Sequence, residues 1–303
     1  MDIRENRREN RADKETGRNT ANVGVRAAEE RDRPETAANS ARVRHTAGKV
    51  ALVFALTALI LTLLSASPLF SVSEIEVRGN LYYSENQILT KSGLRTGQNG
   101  FTALRGKNLL KLLAFRCAAA EQAISFACPY VKSVQVHYKL PNKISIAVEE
   151  RSKSVVVPYF DSGLLIDEEG YVVDILKNYR SAELPVAVGL SFADYALGKK
   201  LVVADEAGIE AVLTIINALR QADRDSEDVF AWKVRSIDVR NRMNIRLTLD
   251  DGLSVDLGDG TDIYYRVSAA KEIVFHGLEP GAVGLVCFSN TAKPVFIPDA
   301  PDA

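Results

Sequence analysis

The residue types that could do chemistry in this 303-residue chain are few and scattered. An enzyme would need a nucleophile beside its base, a cluster of metal ligands or a phosphate cradle. The three histidines are His45, His137 and His276, with no HExxH, CxxC or GxSxG motif around them. His137 falls on the polar side of an alternating stretch. His276 precedes Gly277 and reads as a helix C-terminus, where an imidazole suits the dipole. Asp167-Glu168-Glu169 puts carboxylates side by side, whereas a calcium loop needs its oxygens at alternate positions. The expectation there is a solvated hairpin turn. Leu257-Gly258-Asp259-Gly260-Thr261 lacks the lysine and glycine spacing of a phosphate loop, and reads as a turn into a helix capped by Thr261 or Asp262. Cys117, Cys128 and Cys287 are odd in number, which rules out a fully paired framework. On one continuous helix the first two would stand about 16 Å apart, too far for a bridge. They read as small buried apolar residues, with a Cys117–Cys128 bond as the alternative. The expectation is therefore no catalytic residue, no metal and no cofactor, and a function carried out by binding.

The element that must position everything else is the uncharged run from Val50 through Leu56 and Leu61 to Phe70. As one helix it would be roughly 31 Å long, close to the hydrocarbon thickness of a bilayer. Thr57, Thr62, Ser65 and Ser67 can return their hydroxyls to the helix's own carbonyls. A cleaved signal peptide fits less well, since 49 residues precede the run. A single membrane anchor over 50–71 is expected. Arg42, Arg44 and Lys49 precede it without an acid after Glu35, and Glu74 and Glu76 follow it. The positive-inside rule then predicts a cytoplasmic N-terminus and an extracytoplasmic remainder.

Residues 1–50 carry 12 Lys and Arg against 9 Asp and Glu, leaving 26 against 30 beyond them. Neither part is basic enough to suggest nucleic acid. Residues 1–49 have few large aliphatics and are expected to form a disordered tail. After the anchor, Val72–Arg78 alternates as a half-buried strand. Ser84-Glu85-Asn86-Gln87 reads as a capping box with Tyr83 stapled onto Ile88, and Gly93 as a left-handed cap. A helical region follows over 102–127 with a break near Ala114-Phe115-Arg116. Strands containing Val134, Val136 and Tyr138, then Ile144, Ile146 and Val148, complete a small α+β module over 72–150. Beyond Arg151 the pattern is mostly hairpins, with helices marked by Ile209, Val212, Ile216 and Leu219 and by Ile263, Val267 and Ala270. A β-rich domain over 151–290 and a short C-terminal tail over 291–303 are expected. Val283-Gly284-Leu285-Val286-Cys287-Phe288 is apolar on both faces. It is either a central strand or an edge that a partner's strand completes.

The ordered set VSEIEVRGN, SENQIL, SGLRTGQNGF, PYVKSVQVHYKLPNKISIAVEER and LLIDEEGYVV, directly after one anchor, resembles the FtsQ/DivIB family of bacterial division proteins. The resemblance covers about residues 50–290; Cys117 and Cys128 are a departure from it. It implies an α+β fold: a transmembrane helix, a POTRA domain and a β domain. It further implies a non-enzymatic scaffold at the division septum, joining FtsB/DivIC-like and FtsL-like single-span partners to a septal peptidoglycan synthase pair of the FtsW and FtsI types. Partner binding would fall to Val283, Leu285, Val286, Phe288 and, on the preceding helix, Arg266. The rival readings are a membrane-tethered cell-wall enzyme, for which no catalytic set is visible, and a POTRA-bearing secretion factor, which would need a C-terminal barrel that the strand pattern does not provide.

Overall fold

A computed structural model describes residues 48–104, 108–288 and 293–299. The expected tail over 1–49 lies outside them except for its last two residues. Two compact units divide after Ser67.

The first unit contains α1, Gly48–Ser65, an apolar helix of 18 residues. At 1.5 Å per residue it is about 27 Å long, enough to span most of a bilayer's hydrocarbon. The hydroxyls of Thr57 and Thr62 donate to the carbonyls of Val53 and Ala58 at 2.8 and 2.7 Å, and Ser65 donates to Thr62 at 2.8 Å. These side chains therefore bring no unmet donor into an apolar surround. Val50, Leu56 and Leu61 lie on this helix. Phe70, expected at its far end, does not. Pro68 cannot continue the backbone ladder, and Pro68–Phe70 is a 3-10 turn that opens the second unit.

The second unit begins with a three-stranded sheet of β1 (Glu74–Arg78), β2 (Val131–Lys139) and β3 (Lys143–Glu150) in the order β1-β3-β2. β1 runs parallel to β3, and β2 antiparallel. Between β1 and β2 come α2 (Glu85–Ser92), α3 (Gly100–Ala103), α4 (Leu109–Leu113) and α5 (Ala118–Ala127). The capping box forms as the spacing predicts: Gln87 N donates to Ser84 Oγ and Ser84 N to Gln87 Oε1. Gly93 closes α2 at φ 68°, a left-handed conformation that costs glycine little. The break expected near Phe115 is real, with Phe115 at φ 52°. Ile88, Ile124, Val136, Ile144 and Ile146 meet in the core. Cys117 and Cys128 flank α5, buried and free rather than bridged. Burial pushes the Cys117 thiol up to about 11.

The second sheet has nine strands: β4 (Val155–Tyr159), β5 (Ser162–Ile166), β6 (Val172–Leu176), β7 (Val186–Val188), β8 (Val234–Asp238), β9 (Ile245–Leu249), β10 (Leu253–Gly258), β11 (Gly284–Cys287) and β12 (Val295–Pro298). Their order is β12-β11-β10-β9-β8-β7-β4-β5-β6. The sheet is less purely built of hairpins than the pattern suggested, because β4–β7, β7–β8 and β10–β11 pair in parallel. Parallel neighbours need a crossover. α6 (Glu206–Ala222) lies between β7 and β8, and α7 (Ile263–Glu272) between β10 and β11. Ile209, Val212 and Leu219 of α6 and Val267 and Ala270 of α7 share one core with Ile237, Leu247 and Val255 of the sheet. β12 falls inside the stretch expected to be a tail, so the sheet runs past residue 290.

The two sheets meet through a polar and aromatic junction. The turn Asp167-Glu168-Glu169, expected in solvent, is packed there instead. Asp167 is 2% exposed. Arg151 Nη1 donates to Asp167 Oδ2 at 2.5 Å and to Glu169 Oε2 at 2.8 Å, with the guanidinium 3.7 Å over the Tyr171 ring. Asp167 Oδ1 accepts from the backbone N–H groups of Glu169 and Tyr171 at 3.0 and 2.8 Å. Tyr130 stacks on Tyr82 at 3.8 Å and donates to Asp174 of β6 at 3.2 Å. Burial first, and then the Asp174 carboxylate, push the Tyr130 phenol far up.

Candidate functional site

The site starts from a strand that cannot fold alone. β11 is apolar on both faces, so it needs a neighbour on each side and a layer above. β10 supplies one side in parallel register, Val255 opposite Val286, and β12 the other in antiparallel register, Val286 opposite Phe296 and Leu285 opposite Ile297. Successive side chains point to opposite faces. Val286, Phe288 and Phe296 turn to the core under α6 and α7. Leu285 and Cys287 turn the other way, opposite Ile297 and Val295 respectively.

This arrangement corrects two of the expected partner contacts. Val286 and Phe288 are 0% and 5% exposed, so a partner cannot touch their side chains while the domain is folded. The open alternative for this strand is also resolved: β11 is internal. The free edge belongs to β12, which ends the strand order with no strand beyond it among the described residues. Its residues Val295 and Ile297 are each about half exposed, as is Val283 just before β11. Two cross-strand apolar pairs, Leu285–Ile297 and Cys287–Val295, thus form a patch beside an unpaired strand edge. Pro294 and Pro298 bracket β12. Proline lacks a backbone donor and is confined to edges such as this.

Two family models match the chain in sequence order: "POTRA domain, FtsQ-type" over residues 70–151 and "Cell division protein FtsQ/DivIB, C-terminal" over residues 159–277. The chain belongs to the FtsQ/DivIB family. It is 25% identical over 248 residues to the cell division protein DivIB of Clostridium botulinum strain Loch Maree, covering 82% of this chain and 89% of that protein. It is similar to DivIB of Clostridium acetobutylicum, 23% identical with 78% and 87% covered. The cell division protein FtsQ of Corynebacterium glutamicum is 25% identical, with 74% and 88% covered. This FtsQ/DivIB chain is thus a cell division protein with, among the described residues, one apolar helix able to anchor it, a POTRA-type domain and a β-rich domain.

In this FtsQ/DivIB domain Arg266 stands in the first turn of α7, as expected, and reaches back to the loop after β10. Its guanidinium donates to Leu257 O, to Asp259 Oδ1 at 3.2 Å and to Thr261 Oγ1 at 2.7 Å. Asp259 Oδ1 also accepts from the Thr261 N–H and hydroxyl at 3.1 and 2.8 Å. These hydrogen bonds, that of the Thr261 hydroxyl first, hold the Asp259 carboxyl below its ordinary range. Of the two residues expected to cap α7, Asp262 takes the N-cap position, but in left-handed backbone at φ 49° and without a side-chain bond to the helix. Arg266 therefore fixes a turn, and only 17% of its side chain remains exposed. His276 lies in the π-helical turn Ile273–Gly277 beyond α7, His137 on β2, and His45 outside the described residues. Among the described residues no group of three or more His, Cys, Asp and Glu is placed to hold a metal ion. The residues missed from sequence are Val295 and Ile297. Their signal was a short alternating run between two prolines, too brief to separate from a tail.

Proposed function

We propose that this FtsQ/DivIB-family chain is a non-enzymatic, single-span scaffold of the division septum, with its N-terminus in the cytoplasm and both folded domains outside. Its outer domain receives FtsB/DivIC-like and FtsL-like partners, which in turn connect it to a septal peptidoglycan synthase pair of the FtsW and FtsI types. The observation that carries this reading is the open edge of β12 beside the Leu285–Ile297 and Cys287–Val295 pairs. An extended segment can add there through backbone hydrogen bonds, with alternate side chains seated on the apolar patch. Val283 and Leu285 belong to that surface. Val286 and Phe288 act from beneath by holding β11 in register, and Arg266 acts by shaping the turn before α7. The division-protein names of the relatives support the setting.

The test is co-purification from detergent with the FtsB/DivIC-like protein of the same cell. Val295→Glu combined with Ile297→Glu should abolish capture while the domain keeps its thermal unfolding midpoint. Undiminished capture would place the docking site elsewhere. A fluorescent fusion should gather at midcell before constriction; uniform membrane fluorescence in dividing cells would count against a septal role.

A further inference from the structure

The POTRA-type domain carries a helix with its polarity reversed. α4 reads Leu109-Leu110-Lys111-Leu112-Leu113, and its leucines are 66%, 78%, 42% and 69% exposed. Its single charge turns inward. Lys111 Nζ lies 2.6 Å from Glu121 Oε2, and Glu121 is buried. Arg116 Nε donates to Glu121 Oε1 at 2.7 Å and Val136 N to the same oxygen at 3.0 Å. A helix facing water does the opposite, turning charge outward and leucine inward. Because Glu121 holds the cations on the inner side, the leucines have nowhere to go but out, and Phe115 beside them is also exposed.

The chain says which environment accepts such a surface. Ser65 ends α1 and Phe70 follows five residues later, a tether of at most about 18 Å even when extended. The Phe70 ring lies 5.0 Å from the ring of Phe101 on α3, the element before α4. On the other side of α4, Tyr138 donates its backbone N–H to Phe115 O at 2.8 Å, and its hydroxyl, which donates to the nearer Pro141 O, lies 3.2 Å from Phe70 O. Tyr138 therefore lies against both Phe70, where the tether enters the domain and which its hydroxyl meets, and Phe115, two residues past α4, which its backbone N–H meets. Within this domain the leucines therefore sit at the end where the tether enters.

We propose that α4 is a membrane-resting element, its leucines seated in the headgroup–acyl boundary of the leaflet on the domain's side. Apolar side chains gain by leaving water there, as in interfacial helices. The occupant is the lipid surface, and the consequence is a second point of membrane contact, which limits how the domain can swing about the tether. This inference rests on α1 spanning the bilayer but not on the docking role of β12.

The experiment uses the full chain, with Trp232→Phe removing its one tryptophan, reconstituted into phosphatidylcholine–phosphatidylglycerol liposomes. Leu110→Trp supplies the probe, and Leu113→Trp repeats it in case the first substitution disturbs the fold. Phosphatidylcholine brominated near the headgroup end of its acyl chains should at least halve the L110W and L113W emission and shift it to the blue. The native Trp232, which is exposed on the β domain, should be unaffected in the parent protein. Flotation of the parent protein with the liposomes reads the anchor separately. Flotation without quenching, with iodide reaching the L110W and L113W indoles as freely as Trp232, would overturn the proposal and leave the anchor standing. Protection from iodide without quenching by lipid bromine would also overturn it, by assigning the leucines to a protein neighbour. Loss of flotation would remove both.

Discussion

The two ends of the nine-stranded sheet are handled in opposite ways. At the β6 end the chain covers its own edge. Val172 N donates to Lys199 O at 2.9 Å, Gly198 N to Val172 O at 2.7 Å, and Tyr130 reaches Asp174 from the POTRA-type domain. At the β12 end no strand follows among the described residues, and Val295 and Ile297 stay half exposed. Unpaired edges invite another chain, and proteins ordinarily blunt them. Here one edge is consumed in joining two domains of the same chain, while the other is left bounded only by prolines. An edge kept open at one end and sealed at the other fits a molecule that must be rigid within itself and available to a partner.

The contrast is tested most severely at the sealed end. Asp167→Ala leaves Arg151 buried without its main partner, and breaking such a pair costs about 3–5 kcal/mol. Urea unfolding should show that loss, together with easier proteolysis between the two sheets. A loss below about 1 kcal/mol would mean the junction is not held this way. Next comes Glu121 in the POTRA-type domain. Burial raises its pKa, but the bonds from Arg116, Lys111 and Val136 outweigh that and hold it below the ordinary value. A carboxyl with a depressed folded-state pKa contributes stability that is full above its unfolded value, near 4.3, and is lost as pH falls through the folded one. Glu121→Gln should therefore cost about 1.5–3 kcal/mol at neutral pH and flatten the acid limb of stability below about pH 4. An unchanged acid limb would contradict the assignment.

Tyr130→Phe removes one bond at the sealed edge and should cost about 1 kcal/mol, measured by chemical denaturation. Ile297→Glu at the open edge should change stability by no more than about 0.5 kcal/mol, because its side chain has water to turn to. Equal effects at the two edges would erase the distinction between them. The smallest effect is chemical. Cys117 and Cys128 are buried with raised thiol pKa values, burial being the main cause in both. Iodoacetamide at pH 8 should therefore leave them intact in the folded protein. Half-buried Cys287, on the apolar patch, should react first, and a bound partner should slow it.

Much of this molecule could be read locally. The capping box at Ser84 and Gln87, the left-handed Gly93, the stripe of Ile209, Val212, Ile216 and Leu219, and the apolar run at α1 all depend on residues within a few positions of one another. Backbone geometry and side-chain periodicity act at that range. The same local logic misjudged Asp167, because three adjacent acids look solvated until a distant Arg151 is packed over them. It also carried the anchor on to Phe70, whose ring packs on Phe101 instead.

The amino-acid sequence by itself determined that one apolar helix precedes two folded domains, where most helices start and stop, and which strands alternate. It did so because hydrophobic period and capping are set by nearest neighbours along the chain. Only the tertiary structure decided that β11 is internal and β12 the edge, that Val286 faces the core while Leu285 faces out, and that Glu121 draws Lys111 inward and leaves the leucines of α4 outside. Those outcomes turn on which remote segments pair, and burial and hydrogen-bond satisfaction belong to the assembled whole rather than to any short stretch of chain.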